Sequence, residues 1–215
     1  AIFWQRWQQQ LLVVLKKSGD PVLAPFITEV ENWGGRAVKS SVGFRLVKNY
    51  RKWVYETLMG YVTAPCGEKF NLCNYKKATH QMESPLWRLV EQQPDGWLPK
   101  QFKGNWQAFF EQMALTAWAP VVSGEIALKD YIWGDENRSS IRHPLSRSVP
   151  FLGLLTDMPE VMQDGAHEKI PHIAADIFGQ SERIVVSPGH EEEGLMNMPA
   201  GQAGHPLSPY YGAGH

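Results

Sequence analysis

Apolar residues recur at helical spacing from the first turn of the chain. The buried face of a first helix is predicted to carry Trp4, Trp7, Leu11, Leu12 and Leu15. Gly19-Asp20-Pro21 ends this helix, and a shorter one is predicted over Leu23 to Trp33. No capping residue precedes the first helix, so we expect that the chain, which starts at Ala1, was cut from a longer polypeptide.

The helical pattern continues beyond the tight turn Trp33-Gly34-Gly35-Arg36. Ser40 or Ser41 is predicted to cap a long helix, whose buried face carries Val42, Leu46, Tyr50, Trp53, Val54 and Leu58. Gly60 to Tyr75 is predicted to be loop. Ser84, as the cap, and Pro85, in the first turn, start a helix that reaches Gln92 and is closed by Pro94-Asp95-Gly96.

A last long stripe consists of Trp106, Phe109, Phe110, Met113, Ala114 and Ala117. The first 120 residues are therefore predicted to be nearly all helical. From about Tyr131, Gly and Pro become frequent and the apolar segments become short. Ile184-Val185-Val186 is typical of a buried strand, and Leu195 to Met198 is a second strand, reached through the polar turn His190 to Gly194.

These patterns predict an α+β protein in two parts. Residues 1–125 form a mainly helical lobe, and residues 126–215 form a Gly/Pro-rich segment with short strands. The Gly- and Pro-rich ending, Gly201 to Tyr211, is unlike an ordinary loop, because each Gly and each Pro restricts the path that the backbone can take.

Composition excludes several classes of function. The net charge is −1, so the strongly basic surface of a nucleic-acid-binding protein is missing. No apolar run approaches the roughly 20 residues that span a bilayer, and the first residues show no signal-peptide pattern. The 9 Trp residues indicate a large buried surface, shared with another polypeptide. Cys66 and Cys73 form either a local disulfide or two free thiols, and their spacing is not that of a zinc site.

Several segments, in order, resemble the penicillin acylase family. The resemblance rests on Glu31-Asn32-Trp33-Gly34-Gly35-Arg36, Ser41 to Val47, Ser84 to Leu89, Trp133-Gly134-Asp135-Glu136-Asn137, His143 to Arg147, Asp157-Met158-Pro159, Phe178 to Val186 and Gly201 to Tyr211. It spans nearly the whole chain and is similar to the C-terminal portion of the family's β chain. The last of these segments is the most specific match.

The resemblance implies an N-terminal-nucleophile amidohydrolase with an αββα sandwich, to which the strands of this chain contribute an incomplete part. It also implies a precursor split into an α and a β chain, in which the first residue of the β chain cleaves the amide. There the terminal amine acts as the base for its own hydroxyl, and oxyanion-hole donors stabilise the tetrahedral intermediate. Residue 1 is Ala here, and the far end at His215 is expected to be trimmed as well.

No residue of this chain matches the family's nucleophile, oxyanion-hole or calcium-binding motifs. We therefore assign no catalytic, cofactor-binding or metal-binding residue, and expect no cofactor in this chain, whereas the full family protein can hold a structural calcium ion. Two departures from the family pattern are Gly34, where Asp is common, and Ala203, where Ser is common; the latter leaves the role of Gln202 open.

Other residues with chemical potential have simpler interpretations. His190-Glu191-Glu192-Glu193, joined by His205 and His215, has the residue types of a metal or acid/base cluster, but a solvated turn explains it better. His143-Pro144 is predicted to satisfy backbone groups, and Ser208 to be a turn hydroxyl. Ser181-Glu182-Arg183 either forms a structural ion pair or orients a catalytic group. Gly201, Gly204 and Pro206 shape the backbone, and the Trp and Phe stripes are interpreted as core and not as an acyl pocket.

The sequence thus predicts part of a penicillin acylase-like amidohydrolase. The full enzyme is expected to cleave linear amides through an acyl-enzyme. Examples are the amide of the acyl side chain of a β-lactam and that of an N-acyl homoserine lactone. The nucleophile lies outside this chain, which is inactive alone. The expected partners are the rest of the β chain, an α chain and an acyl amide substrate, with no nucleic acid and no membrane; the expected location is the periplasm. The alternative is a non-catalytic helical binding module or a degenerate remnant.

Overall fold

A computed structural model describes residues 2–70, 82–166, 183–197, 200–201 and 203–213 of the chain. They group into two compact units. The first contains residues 1–35 and 42–131, and the second contains residues 36–41 and 132–215. The mixture of helices with small antiparallel sheets confirms the predicted α+β class. The predicted sandwich and the division at residues 125 and 126 stay predictions.

The first unit is a lobe of helices. Its helices are α1 (Ile2–Ser18), α2 (Ala24–Glu31), α3 (Val42–Gly67), α4 (Glu83–Gln92), α5 (Trp106–Ala117) and α6 (Ala119–Val122), with short 3₁₀ turns at Lys100–Phe102 and Leu128–Asp130. The stripes predicted on α1 and α5 are buried, apart from the half-buried Leu12. Helices α1, α3 and α5 pack against one another, and α2 packs against α1 and α3. None of the helices in the described ranges is long and apolar enough to cross a membrane.

Three predictions about this lobe are wrong. Trp53 is predicted on the buried face of α3 but is 36% exposed. The residues of this turn that are buried are Arg51, Val54 and Tyr55. The loop predicted from Gly60 begins too early. Helix α3 continues to Gly67, since Pro65 stands in its last turn, where a missing N–H costs one hydrogen bond near an end that is already weak.

The start of α4 was also assigned to the wrong residue. Ser84 is not the cap; the helix begins at Glu83, after Met82, and no side chain caps it. A tertiary contact explains this start. The Glu83 carboxylate accepts hydrogen bonds from the Trp7 indole Nε1 at 2.8 Å and the Arg51 guanidinium at 2.6 Å. The first turn is therefore held by α1 and α3 rather than by a local cap.

The second unit contains short helices and two two-stranded antiparallel sheets. Strand β1 (Arg138–Ser139) pairs with β2 (Val161–Met162), and helices α7 (Pro144–Ser148) and α8 (Gly153–Thr156) lie between them in sequence. Short 3₁₀ turns lie at Trp133–Asp135 and Pro150–Leu152. Strand β3 (Arg183–Ser187) pairs with β4 (His190–Asn197), with Ile184 opposite Met196 and Val185 opposite Leu195.

The hairpin of β3 and β4 corrects two predictions. The turn is Pro188-Gly189, and His190 to Gly194 belong to the strand, because Gly189 adopts a φ of +84° that reverses the chain early. The strand Ile184 to Val186 was predicted to be buried, and it is not. Ile184 is 63% exposed and Val185 53% exposed, since no described element covers either face of this two-stranded ribbon.

Candidate functional site

The segment Trp133 to Asn137 joins separate parts of the second unit. The Gly134 N–H donates to the Lys39 carbonyl at 2.6 Å, and the Trp133 indole Nε1 donates to the Gly165 carbonyl at 2.8 Å. The Asn137 side-chain amide donates to the Gln163 carbonyl at 2.7 Å. A Cβ on Gly134 would lie 3.0 Å from the Lys39 carbonyl oxygen and 2.9 Å from the Met162 sulfur, so a larger residue would force the Lys39 backbone and the Met162 side chain to shift. This motif therefore has a structural explanation for its Trp, Gly and Asn.

Asp157 organises the turn that starts α7. Its carboxylate accepts the His143 backbone N–H at 2.9 Å. The nearby Ser146 hydroxyl is the main reason that the pKa of Asp157 lies below its ordinary value, and the His143 N–H and the Arg142 charge act in the same direction. Gly153 gives the carboxylate its space, because a Cβ there would lie 2.8 Å from Asp157 Oδ2. These contacts fix the chain path on either side of α7 and α8.

The Asp, His and Ser of this turn do not form a catalytic triad. The imidazole Nδ1 of His143 accepts the Leu145 N–H at 3.2 Å and caps α7. The Ser146 hydroxyl donates to the His143 backbone carbonyl at 2.8 Å, not to the imidazole. A triad requires the imidazole to receive the serine proton while the carboxylate holds its other nitrogen. The prediction that His143-Pro144 satisfies backbone groups is confirmed.

The C-terminal segment is shaped by close backbone contacts. Gly201 adopts a φ of +76°, and a Cβ there would overlap the Tyr210 carbonyl oxygen, so this position accepts only glycine. Gly201 pairs with Tyr211 in an isolated antiparallel bridge, and the Gly212 N–H donates to the Ala200 carbonyl at 2.9 Å. The backbone role predicted for Gly201 is confirmed.

The hydroxyl and imidazole groups of this segment also serve the backbone. Ser208 Oγ accepts the Tyr210 N–H at 3.2 Å, which confirms a turn hydroxyl rather than a nucleophile. The Nδ1 of His205 accepts the Leu207 N–H at 3.2 Å. The Tyr211 hydroxyl donates a short hydrogen bond to the Thr156 carbonyl and so anchors the segment beside α8. Burial, and then the charge of Asp157, raise the pKa of Tyr211.

A cavity of about 300 Å³ lies where these turns meet. We call it the C-terminal cavity; its lining includes Ile141, His143, Pro144, Met158, Gly201 and Tyr211. Its volume is at the small end of ligand pockets, and most of its wall is apolar. Three of the polar groups that line it, on His143, Thr156 and Tyr211, already hydrogen-bond to backbone atoms, and Arg142 adds a charged side chain. The cavity can therefore hold a small apolar group, but the described residues around it offer no pair of nucleophile and base.

His190, Glu192 and Glu193 place one potential metal-ligand atom each within 4.8 Å of one another. All three residues are exposed on strand β4, which replaces the solvated turn predicted there. The intervening Glu191 behaves differently. The Gly189 N–H donates to its carboxylate at 2.9 Å, and this hydrogen bond lowers the pKa of Glu191. Exposed acidic groups commonly approach one another without a metal, so no metal site is assigned here.

Several candidate residues lie outside the described residues. These are Ala1, Cys73, Ser181, Glu182, Gln202 and His215, and the hypotheses about them stay predictions. Arg183 is described only in its backbone, as the first residue of β3. Cys66 is disulfide-bonded, which favours the first of the two alternatives given for the cysteines.

The sequence did not reveal a part-buried polar cluster in the helical lobe. Arg6 and Arg51 both pair with Glu83, at 3.2 and 2.6 Å, and the Arg6 guanidinium stacks on Trp87 at 4.0 Å from the ring centroid. Glu83, just before Ser84-Pro85, is typical of an exposed residue in the first turn of a helix. The cluster could have been predicted only from the arginines of α1 and α3, which lie beside apolar residues. A charged side chain in such surroundings needs a partner of opposite charge.

The second unit combines short helices and antiparallel strands with a small cavity that is walled by tight backbone turns. The model of the penicillin amidase family matches residues 3–213, which is nearly the whole chain. The chain belongs to the penicillin amidase family. No curated protein matches it.

Proposed function

We propose that this chain is a structural portion of an amidohydrolase that cleaves linear amide C–N bonds through an acyl-enzyme. The proposed substrates are acyl amides, such as the side chain of a β-lactam or an N-acyl homoserine lactone. The nucleophile resides elsewhere in the enzyme, and this chain alone is inactive. Family membership supports the amidohydrolase class. Among the described serines of the candidate site, Ser146 and Ser208 both serve backbone groups, as the geometry above shows.

The apolar hairpin of β3 and β4 is the observation that carries the proposal. Its side chains Ile184, Val185, Val186, Leu195 and Met196 are all at least 50% exposed. Neighbours along a strand point to opposite faces, so both faces of the hairpin are apolar. Such strands are typical of a sheet that is covered on both sides, and a two-stranded hairpin is only marginally stable by itself. Covering these side chains would contribute roughly 5–9 kcal/mol.

The partners we propose are therefore the rest of the β chain, an α chain from the same precursor and an acyl amide substrate. The net charge of −1 gives no support to a nucleic-acid partner. The disulfide at Cys66 supports an oxidising compartment such as the periplasm. A structural calcium ion, if the full enzyme has one, is proposed to lie outside this chain.

Assays of the purified chain on chromogenic acyl amides of both substrate types test the proposal. We expect no turnover above the rate in buffer. Turnover by the purified chain that disappears in the Ser208→Ala variant would contradict the absence of a nucleophile. The alternative of a self-contained helical binding module expects a monodisperse monomer that binds no hydrophobic dye. The proposal expects dye binding that decreases when Ile184 and Leu195 are replaced by Thr, because these two side chains are exposed on opposite faces of the apolar hairpin.

A further inference from the structure

A second cavity, of about 420 Å³, lies within the helical lobe and serves no role in the proposed amide hydrolysis. We call it the helical-lobe cavity. The last turns of α1 and the start of α5 line it, and Gln93 adds a side chain from the end of α4. Val14 and Phe110 give it apolar walls, and both are almost completely buried. A cavity of this volume with a few polar groups is typical of a site for a small molecule.

The charges around the helical-lobe cavity favour an anion. Lys17 lines it, whereas no Asp or Glu does. The adjacent Lys16 forms an ion pair with Glu31, but Lys17 forms none with any residue in the described ranges. Helix α5, of 12 residues, begins in the wall of the cavity, and the positive end of its dipole acts in the same direction. Its cap, Asn105, accepts the Ala108 N–H at 3.0 Å.

A buried donor in the wall indicates that an acceptor is missing. Trp106 lines the cavity and is only 6% exposed, yet its indole Nε1 has no hydrogen-bond partner among the described residues. An unpaired buried N–H costs about 1–3 kcal/mol, which a ligand oxygen or an ordered water can recover. The side-chain amide of Gln107 differs, because it donates to the Val14 carbonyl at 3.0 Å and to Glu111 at 2.7 Å.

We propose that the helical-lobe cavity binds a small organic monocarboxylate with an apolar body. The carboxylate pairs with the Lys17 ammonium and accepts the indole N–H of Trp106, and the apolar body lies against Val14 and Phe110. This inference rests only on contacts within the helical lobe. It is independent of the proposed amidohydrolase function.

Titration of the full chain with hexanoate, followed by calorimetry and by NMR shifts of Asn105 and Gln107, tests this inference. We expect saturable binding, about tenfold weaker for neutral hexanamide and for the Lys17→Gln variant, since a charge-assisted hydrogen bond is lost. The matched control is Lys16→Gln, which should bind hexanoate like the parent chain because Lys16 faces Glu31.

The Trp106→Phe variant keeps an aromatic ring but removes the N–H. It should bind hexanoate several-fold more weakly than the parent chain. Both Lys17→Gln, at an exposed position, and Trp106→Phe are first checked for an unchanged melting temperature. Equal binding by the parent and Lys17→Gln chains would overturn the proposal. So would an absence of binding at about 10 mM hexanoate, which would mean that water alone occupies the cavity.

Discussion

Replacing Gly43 by Ala tests how closely helices α2 and α3 approach each other. A Cβ at this position would lie 2.5 Å from the Glu29 carbonyl oxygen and 2.7 Å from Trp33 Cβ. Both atoms belong to, or are attached directly to, the backbone, so neither can move aside by a change of rotamer. Gly43 stands in the first turn of α3, within the segment Ser41 to Val47 that resembles the family. The glycine is thus explained by helix packing.

The expected loss of stability follows from these two overlaps. Forcing a methyl group into a well-packed contact costs about 1–3 kcal/mol, and separating the helices would also disturb the stacked pair of Phe26 and Trp118. The gain from a better helix former is below about 1 kcal/mol in a first turn. We therefore expect a net loss of about 2 kcal/mol, which corresponds to a melting temperature lower by about 4–8 °C in a chain of this size.

Thermal unfolding followed by circular dichroism at the helix band measures this loss. The matched control is Gly34→Ala in the same unit, because nothing lies within 4 Å of a Cβ there and its φ is ordinary. Gly34→Ala should change the melting temperature by no more than about 1–2 °C. Equal melting temperatures for Gly43→Ala and the parent chain would refute the close approach of α2 and α3.

Three further predictions concern single side chains. Gly201→Ala should destabilise the second unit by at least about 2 kcal/mol, owing to a φ of +76° and overlap with Tyr210, whereas Gly204→Ala should be near neutral; similar protease resistance of the two variants would contradict this. Asp157→Asn should lower the melting temperature at pH 7. The deficit should begin to shrink as the pH falls below about 4, the ordinary pKa of Asp, and be lost below the lowered pKa of the folded protein, because only the ionised carboxylate is stabilised; a deficit that does not shrink between pH 5 and pH 2 would refute it. Glu83→Gln should lower the free energy of unfolding by about 2 kcal/mol in denaturant titrations, since two arginines lose their counter-charge. An unchanged denaturant midpoint would show that the cluster does not contribute to stability.

Periodicity alone predicted the helical lobe well. The stripes on α1 and α5 are buried as expected, because one continuous apolar face can be satisfied only by a core. Errors arose where a tertiary contact, or the position of a residue near a helix end, outweighed a local signal. Glu83 starts α4 through its arginine partners, and Pro65 is tolerated because α3 ends two residues later. Neither effect is visible in the spacing of residues along the chain.

The candidate site was predicted in its local chemistry but not in its assembly. Short-range preferences predicted that His143-Pro144 satisfies backbone groups and that Ser208 is a turn hydroxyl, since the contacts of both side chains span only two residues. The C-terminal cavity depends on contacts between distant residues, such as that of Tyr211 with Thr156. The sequence also predicted a buried strand from the β-branched residues Ile184 to Val186. That hydrophobicity is real, but none of the residues that the structure describes covers it.

Reconstitution with the remaining part of the precursor tests most directly whether this chain is a structural portion of an amidohydrolase. The account predicts that co-expression yields a complex that hydrolyses a chromogenic acyl amide, while the chain alone yields none. Val185→Asp should abolish assembly and turnover, because Val185 belongs to the apolar hairpin. Val22→Asp, at a comparably exposed valine outside the hairpin, should leave both intact. Full turnover by the Val185→Asp complex, or by the isolated chain, would contradict the account.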